Sequence, residues 1–426
     1  MKGRHAHILG HEGFRRYFSN TSWLMAERVL RMVVALFVGV YVARYLGPEN
    51  FGLLSYALSF AGLFLTIATL GLDGILVRDI VREPASSNVL LGTAFGLKII
   101  GTLLMWAGIA LALPLTQYDA QANILIAVIA FSYLFQIFNV VDFKFQAEVK
   151  SKFVVHAQLI QLFGSSVVKL LLLFGQADLI WCAMVYVRDG LIRAAVLLVM
   201  YRKNIGRIIE WNWDTGLARR LLKDSWPMIL AGLVISVYMR IDQVMIKQMM
   251  TASDVGLYSA AVRLSEAWYF IPTVIVTSLF PAIINARSTD KKLYESRIQK
   301  LFDLLTWMAI AVAVPLTFLS EWIVSLLYGQ AYIEAATVLS LHIWAGVFVF
   351  LGVASSRWHM NENLQQLYFV RTLSGVVINV LLNVILIPRY GINGAAIATI
   401  ISQIVASYLF DLTHGKTRPI FYMKTK

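Results

Sequence analysis

Eight basic side chains stand inside long apolar runs of this sequence: Arg28, Arg31, Lys98, Lys169, Arg188, Arg193, Arg240 and Arg263. A base at the centre of a bilayer costs about 2.5–3.5 kcal/mol on insertion scales, so each needs a wet passage, an acidic partner or a reach to the headgroups. Forked guanidinium and ammonium groups around such a passage would attract anions, phosphate or pyrophosphate above all. Arg28, Arg31, Lys98, Lys169, Arg188, Arg240 and Arg263 are the candidate anion contacts. Acids are scarcer in the same runs, and Glu27, Asp73, Asp242 and Glu266 are the candidates for charge pairing or ion coupling. Glu27 precedes Arg31 by four positions and shares its helix face; Arg263 and Glu266, three apart, can also pair. Arg188 and Asp189 are neighbours that point about 100° apart on a helix, a poor geometry for a direct pair. Lys98 and Lys169 have no acid within four positions.

The elements that carry these residues follow from composition. Hydrophobic residues make up 59% of the 426 positions and charged residues 14%, whereas a soluble domain carries about 25% charge. Apolar runs near the ~20 residues of a bilayer-spanning helix recur from Thr21 to the C-terminal region. Twelve spans are expected, beginning near Thr21, Phe51, Asn88, Asn123, Phe153, Asp178, Trp226, Val255, Leu301, Ala335, Leu364 and Ile392. Gly47-Pro48, Pro114, Gly175, Gly329 and Pro388 with Gly391 supply the breaks. With the N-terminus in the cytosol, 26 of the 37 Lys and Arg fall in cytosolic segments and only Arg44, Lys247 and Arg389 on the other side. That asymmetry is what the positive-inside rule predicts for an even span count with both termini cytosolic.

The fold class is therefore an all-α polytopic membrane protein: twelve transmembrane helices in two pseudo-symmetric six-helix bundles. The expected parts are a cytosolic tail (1–20), a first bundle (21–200), a basic connector (201–225), a second bundle (226–413) and a basic cytosolic tail (414–426). The net charge of +13 sits at helix ends, which points to topology and lipid headgroups rather than nucleic acid. The N-terminal segment has no apolar core of a signal peptide, and one cysteine, Cys182, allows no intramolecular disulfide.

Two stretches share a pattern. GPENFGLLSYA (Gly47–Ala57) and TASDVGLYSAA (Thr251–Ala261) align Gly52 with Gly256, Leu53 with Leu257, Ser55 with Ser259 and Ala57 with Ala261. Ser22-Trp23 and Ser225-Trp226 head the first and seventh spans. The halves thus read as a parallel duplication, a plan in which substrate binds near the midplane while one half rocks against the other. Pro272 should kink span eight, the small residues of Gly391–Ala398 permit close helix packing, and Ser288–Lys300 reads as a basic amphipathic surface helix. His5, His7 and His11 sit on a polar tail, where metal binding is not expected. No phosphate loop with Lys-Ser/Thr, HExxH or GxSxG is present.

RYLGPENFGLLSYALSFAGLFLTIATLGLDGILVRDI (Arg44–Ile80) resembles the first signature region of Wzx-type O-antigen and polysaccharide flippases, of the multidrug/oligosaccharidyl-lipid/polysaccharide exporter superfamily. DVGLYSAAVRLSE (Asp254–Glu266) is similar to that family's eighth helix, and IPRYGINGAAIATIISQ (Ile387–Gln403) to its last hairpin. The resemblance implies a twelve-helix transporter rather than an enzyme, in the bacterial inner membrane. It would move an undecaprenyl-pyrophosphate-linked oligosaccharide to the periplasmic leaflet by alternating access through a cationic lumen. It further implies proton or sodium coupling, no bound cofactor or metal, and a polysaccharide polymerase and chain-length regulator as partners besides membrane lipids. The alternatives are a multidrug or cation exporter of the same fold, which should favour acids along its path, and a membrane polymerase or glycosyltransferase, for which the short outer connectors leave no room.

Overall fold

The computed structural model describes residues 12–117, 119–150, 152–287 and 290–425, and for 12–28, 281, 282 and 287 it gives the backbone course alone. The side chains of Glu27 and Arg28, the three tail histidines His5, His7 and His11, and Ser288 therefore lie outside the described residues.

Every regular element among the described residues is helical: α1 Glu12–Thr69, α2 Asp73–Arg82, α3 Ser87–Ala112, α4 Ala120–Ser132, α5 Asn139–Ala147, α6 Lys152–Phe174 and α7 Leu179–Asn204. After the connector come α8 Thr215–Met249, α9 Ala252–Glu266, α10 Phe270–Arg287, α11 Lys291–Tyr328, α12 Ala335–His342, α13 Ala345–Asn361, α14 Gln365–Ile404, a π-helical turn Val405–Leu409, α15 Phe410–Thr413 and α16 Arg418–Thr425. Nine helical segments of the described residues are long and apolar enough to cross a membrane, so the chain is a multi-pass membrane protein. Two of them, Val29–Arg82 and Gln365–Thr413, run through kinks where Gly47 (φ 70°) and Gly391 (φ 59°) leave helical geometry. Only glycine adopts these angles without a Cβ penalty, and each is followed or preceded by a proline, Pro48 or Pro388. Helix α7 carries Arg188, Asp189 and Arg193 and is not among the nine.

Two expectations change on folding. Pro272 does not kink a continuous helix: the chain breaks between Glu266 and Phe270, and Pro272 stands in the first turn of α10, where a proline costs no intrahelical hydrogen bond. The basic segment from Lys291 is not a separate surface helix but the start of the 38-residue α11. Its exposed face carries Lys291, Lys292 and Lys300, and its buried face Tyr294, Ile298 and Leu301.

Contacts divide the chain into two compact units. The first takes the chain up to Val42 and Phe60–Ser236; the second takes Ala43–Ser59 and the chain from Val237 onward. In the first unit the connector is tied down. Trp211 Nε1 donates to Tyr201 Oη at 2.8 Å, and the Asp214 amide donates to Thr93 Oγ1 at 3.0 Å. A Cβ on Gly92 or Gly96 would collide with Asn212 or the Trp213 ring, so the small residues of α3 form the seat of the connector.

In the second unit the two repeat stretches meet. A Cβ on Gly52 would strike the Ala252 carbonyl, and one on Gly256 would strike the Pro48 carbonyl. Ala252 is the repeat equivalent of Pro48, and Gly256 of Gly52, so the crossing is reciprocal, as a two-fold contact requires. The Thr251–Asp254 capping box starts the second copy, each side chain bonding the other's amide. Around the crossing, Tyr332 Oη donates to Ala43 O at 2.6 Å and Gln248 Nε2 to Tyr56 Oη at 3.0 Å.

Candidate functional site

In the first unit the membrane-embedded bases largely find partners. Lys98, 2% exposed, extends to Asp73 of the preceding helix, Nζ to Oδ1 3.1 Å, with its ammonium 4.8 Å from the Phe143 ring centre. The acid missing within four sequence positions is supplied by another helix. Arg188 reaches Gly164 O at 3.0 Å and Asp189 Oδ1 at 3.4 Å. The contact that adjacent positions disfavour thus forms, at a long distance, while Ser165 Oγ donates to the other Asp189 oxygen at 2.5 Å. Arg193, across from Asp142, makes a 3.3 Å ion pair. Lys169 differs: among the described residues it makes no ion pair, its Nζ stands 5.1 Å from the Tyr186 ring centre, and Asp189 is within electrostatic reach.

In the second unit Arg240 is half-buried and donates to the Leu58 carbonyl at 3.4 Å, with no carboxylate in contact. Arg263 does not pair with Glu266. Its guanidinium lies 4.7 Å from the Phe51 ring centre instead, a cation–π contact with the first repeat copy. Among the described residues the Glu266 side chain makes no hydrogen bond or ion pair, and Asp242 and Arg240 are within its electrostatic reach. Arg31, near the start of the described side chains, is half-buried.

Asp242 is the most enclosed of the predicted acids. It receives hydrogen bonds from Tyr258 Oη at 2.8 Å, Asn383 Nδ2 at 2.6 Å and Thr399 Oγ1 at 2.6 Å, with Asn379 Oδ1 3.2 Å beyond Asn383. All of these donors are neutral. The Asn383 Oδ1 atom is buried and has no hydrogen-bond partner. A buried carboxylate among neutral groups is costly unless it holds a proton or a cation, and this oxygen-rich donor set suits either one, sodium included. Tyr258, Asn379, Asn383 and Thr399 are legible in sequence only as polar interruptions of apolar runs. Their convergence on Asp242 depends on tertiary packing.

A second polar cluster lies outside the predicted set. His359, Arg371 and Asp411 are buried, and so is the Lys424 side chain from α16. Among the described residues no group of three or more His, Cys, Asp and Glu is arranged to hold a metal.

Comparison with known proteins agrees with this architecture. Probable flippase AglR of Haloferax volcanii is 28% identical over 178 residues, 40% of this chain and 37% of that protein. Probable low-salt glycan biosynthesis flippase Agl15 of the same organism is 26% identical over 196 residues, 45% of this chain and 41% of that protein. The matched stretch thus spans about two fifths of each relative's length. An inward-facing multidrug resistance MATE family transporter of the MOP superfamily superposes with a TM-score of 0.74 at 15% identity, covering 93% of this chain and 96% of that one. The lipid II flippase MurJ, in an inward closed conformation, gives 0.70 at 15% identity, covering 94% and 89%. A family model described as polysaccharide biosynthesis protein matches residues 18–287, and the chain belongs to that family.

Proposed function

We propose that this protein is a flippase, a transporter and not an enzyme, that moves a lipid-linked oligosaccharide between membrane leaflets by alternating access. The membership of a polysaccharide biosynthesis family and the likeness to two flippases support the substrate class. The observation that carries the reading is that Lys169 in the first unit, and Arg240 and Arg263 in the second, are cations on long apolar helices that make no ion pair among the described residues. Bases on membrane helices with no bonded carboxylate are retained for a purpose, and a pyrophosphate headgroup supplies negative charge to them. The finer reading is an undecaprenyl-pyrophosphate-linked O-antigen or related repeat unit delivered to the periplasmic leaflet of a bacterial inner membrane. A polymerase and a chain-length regulator would then receive it.

Twelve spans in two six-span halves, termini cytosolic, fit this role. Splitting the kinked segments at Gly47 and Gly391 and adding α7 brings the nine apolar segments to that number. On this reading Asp242 is the site of coupling to a proton or sodium ion, supported by its neutral, oxygen-rich surroundings, which suit both.

The second reading is a drug or cation exporter, favoured by the MATE-like fold and by the acids Asp242 and Glu266. Reconstitution decides between them. Purified protein in liposomes should move a fluorescent polyprenyl-pyrophosphate oligosaccharide to the opposite leaflet with no other enzyme present. Transport of cationic dyes without any movement of the lipid-linked sugar would favour the exporter instead.

A further inference from the structure

The buried cluster at the end of the second unit sets two cations beside one carboxylate. Asp411 Oδ2 accepts from Lys424 Nζ at 2.5 Å, and Arg371 Nη1 stands 4.0 Å from the same oxygen. The other oxygen, Oδ1, faces His359 Nε2 at 3.3 Å, just outside hydrogen-bond geometry. The opposite ring nitrogen fixes the tautomer. His359 Nδ1 lies 2.8 Å from Ser355 O, and a carbonyl can only accept, so Nδ1 carries a proton. In the neutral ring Nε2 is then a bare acceptor pointed at a carboxylate oxygen. A second proton on Nε2 turns this opposition into a charge-assisted hydrogen bond.

We infer that His359 and Asp411 form a proton-binding site, and that the proton and the Lys424 ammonium compete for Asp411, so that protonation loosens the docking of α16. Around the dyad the charged and titratable groups are Arg371 and Tyr368 from α14, Asp411 from α15 and Lys424 from α16. Helix α11 contributes the Phe302 ring, 5.8 Å from Lys424 Nζ, and the π-turn contributes the Ser407 carbonyl, which Lys424 caps at 2.7 Å. Tyr408 bonds Thr425, and His414 accepts from the Lys416 amide. With His359 neutral, two cations surround one carboxylate; a proton on Nε2 makes a third. Lys424 sits on an eight-residue helix that also buries Ile420, whereas Arg371 and His359 belong to long packed helices. Lys424 is therefore the cation that can leave. The coupling is reciprocal, since departure of the ammonium favours the proton on His359.

A π-turn is a short departure from α-geometry often found at functional positions. Here Val405–Leu409 is held partly by the Lys424 bond to Ser407 O. Release of α16 would free that carbonyl and let the turn relax, so the dyad gives this part of the second unit a pH-sensitive strap.

Hydrogen–deuterium exchange on the full chain in nanodiscs, at pH 7.5 and 5.5 and corrected for intrinsic rates, reads this without any transport assay. Backbone protection of residues 418–425 should fall at acid pH by a factor on the order of ten, within the usual range of site coupling, while α9 is unchanged. His359→Gln should remove the pH difference. Equal protection at both pH values, or the same fall in His359→Gln, would overturn the inference. If His359→Gln does not fold, Lys424→Met serves: it should leave 418–425 poorly protected at both pH values, and full protection there would equally refute the latch.

Discussion

Lys98 and Arg240, both on long apolar helices, show how such bases acquire different roles from their partners. Lys98 is buried against Asp73, whose side chain is 55% exposed, so the pair is anchored at its lysine end. Asp73→Asn leaves a buried cation uncompensated and should lower stability by about 1–3 kcal/mol. Adding Lys98→Met to that variant should restore most of the loss, read as thermal unfolding in detergent. Arg240 has only a long bond to one carbonyl, so Arg240→Gln should hardly move the unfolding temperature. If it meets the substrate headgroup, leaflet transfer should drop about tenfold or more, the weight of one charge-assisted contact; unchanged transfer would remove Arg240 from the substrate path. Outside the spans, Glu148 is held below the usual carboxylate range by Lys150 and Lys144, which outweigh its partial burial. A depressed acid stabilises above its unfolded value and loses that contribution as pH falls through its folded one. Glu148→Gln should therefore cost stability at pH 7 and cost nothing once the pH is well below that range.

Among the elements, the reciprocal crossing of the two repeat copies invites the sharpest substitution. Gly256→Ala places a methyl group into the Pro48 carbonyl, and neither backbone can yield without moving a helix. Overpacking of this kind costs about 1–3 kcal/mol. It should also weaken the hold on Ala43–Ser59, measured as faster exchange of that stretch. The equality of Gly52 and Gly256 was legible in sequence because a close crossing demands the same residue on both sides. The breaks at Gly47, Gly329 and Gly391 were legible for a related reason: each has positive φ, which few other residues tolerate. Partner choice was not legible. Lys98 with Asp73, Arg193 with Asp142 and Arg263 over Phe51 join residues 25, 51 and 212 positions apart, whereas sequence proximity offered Glu266 as a partner within reach of Arg263. The His359–Asp411 cluster escaped notice because Lys424 reads as one more charge on a basic tail until its helix docks.

At the scale of the whole molecule, transport against a gradient needs an ion whose binding differs between conformations, because a ligand shifts an equilibrium only by its differential affinity. Asp242 is suited to that task. Its carboxylate is buried, its donors Tyr258, Asn383 and Thr399 come from α9 and α14, and all of them are neutral. Among the described residues no lysine or arginine bonds to it, so on the proposed reading a proton or sodium ion would hold the charge, and its release would leave an unsatisfied buried acid that favours rearrangement. Asp242→Asn keeps the shape of the site and removes the charge. In proteoliposomes, an imposed proton or sodium gradient should change the flipping rate of the wild-type chain severalfold. The same gradient should leave the rate of Asp242→Asn unchanged, whatever its absolute value. A variant that still responds to both gradients would move coupling elsewhere, with Glu266 the next acid to substitute, since it lies within electrostatic reach of Arg240.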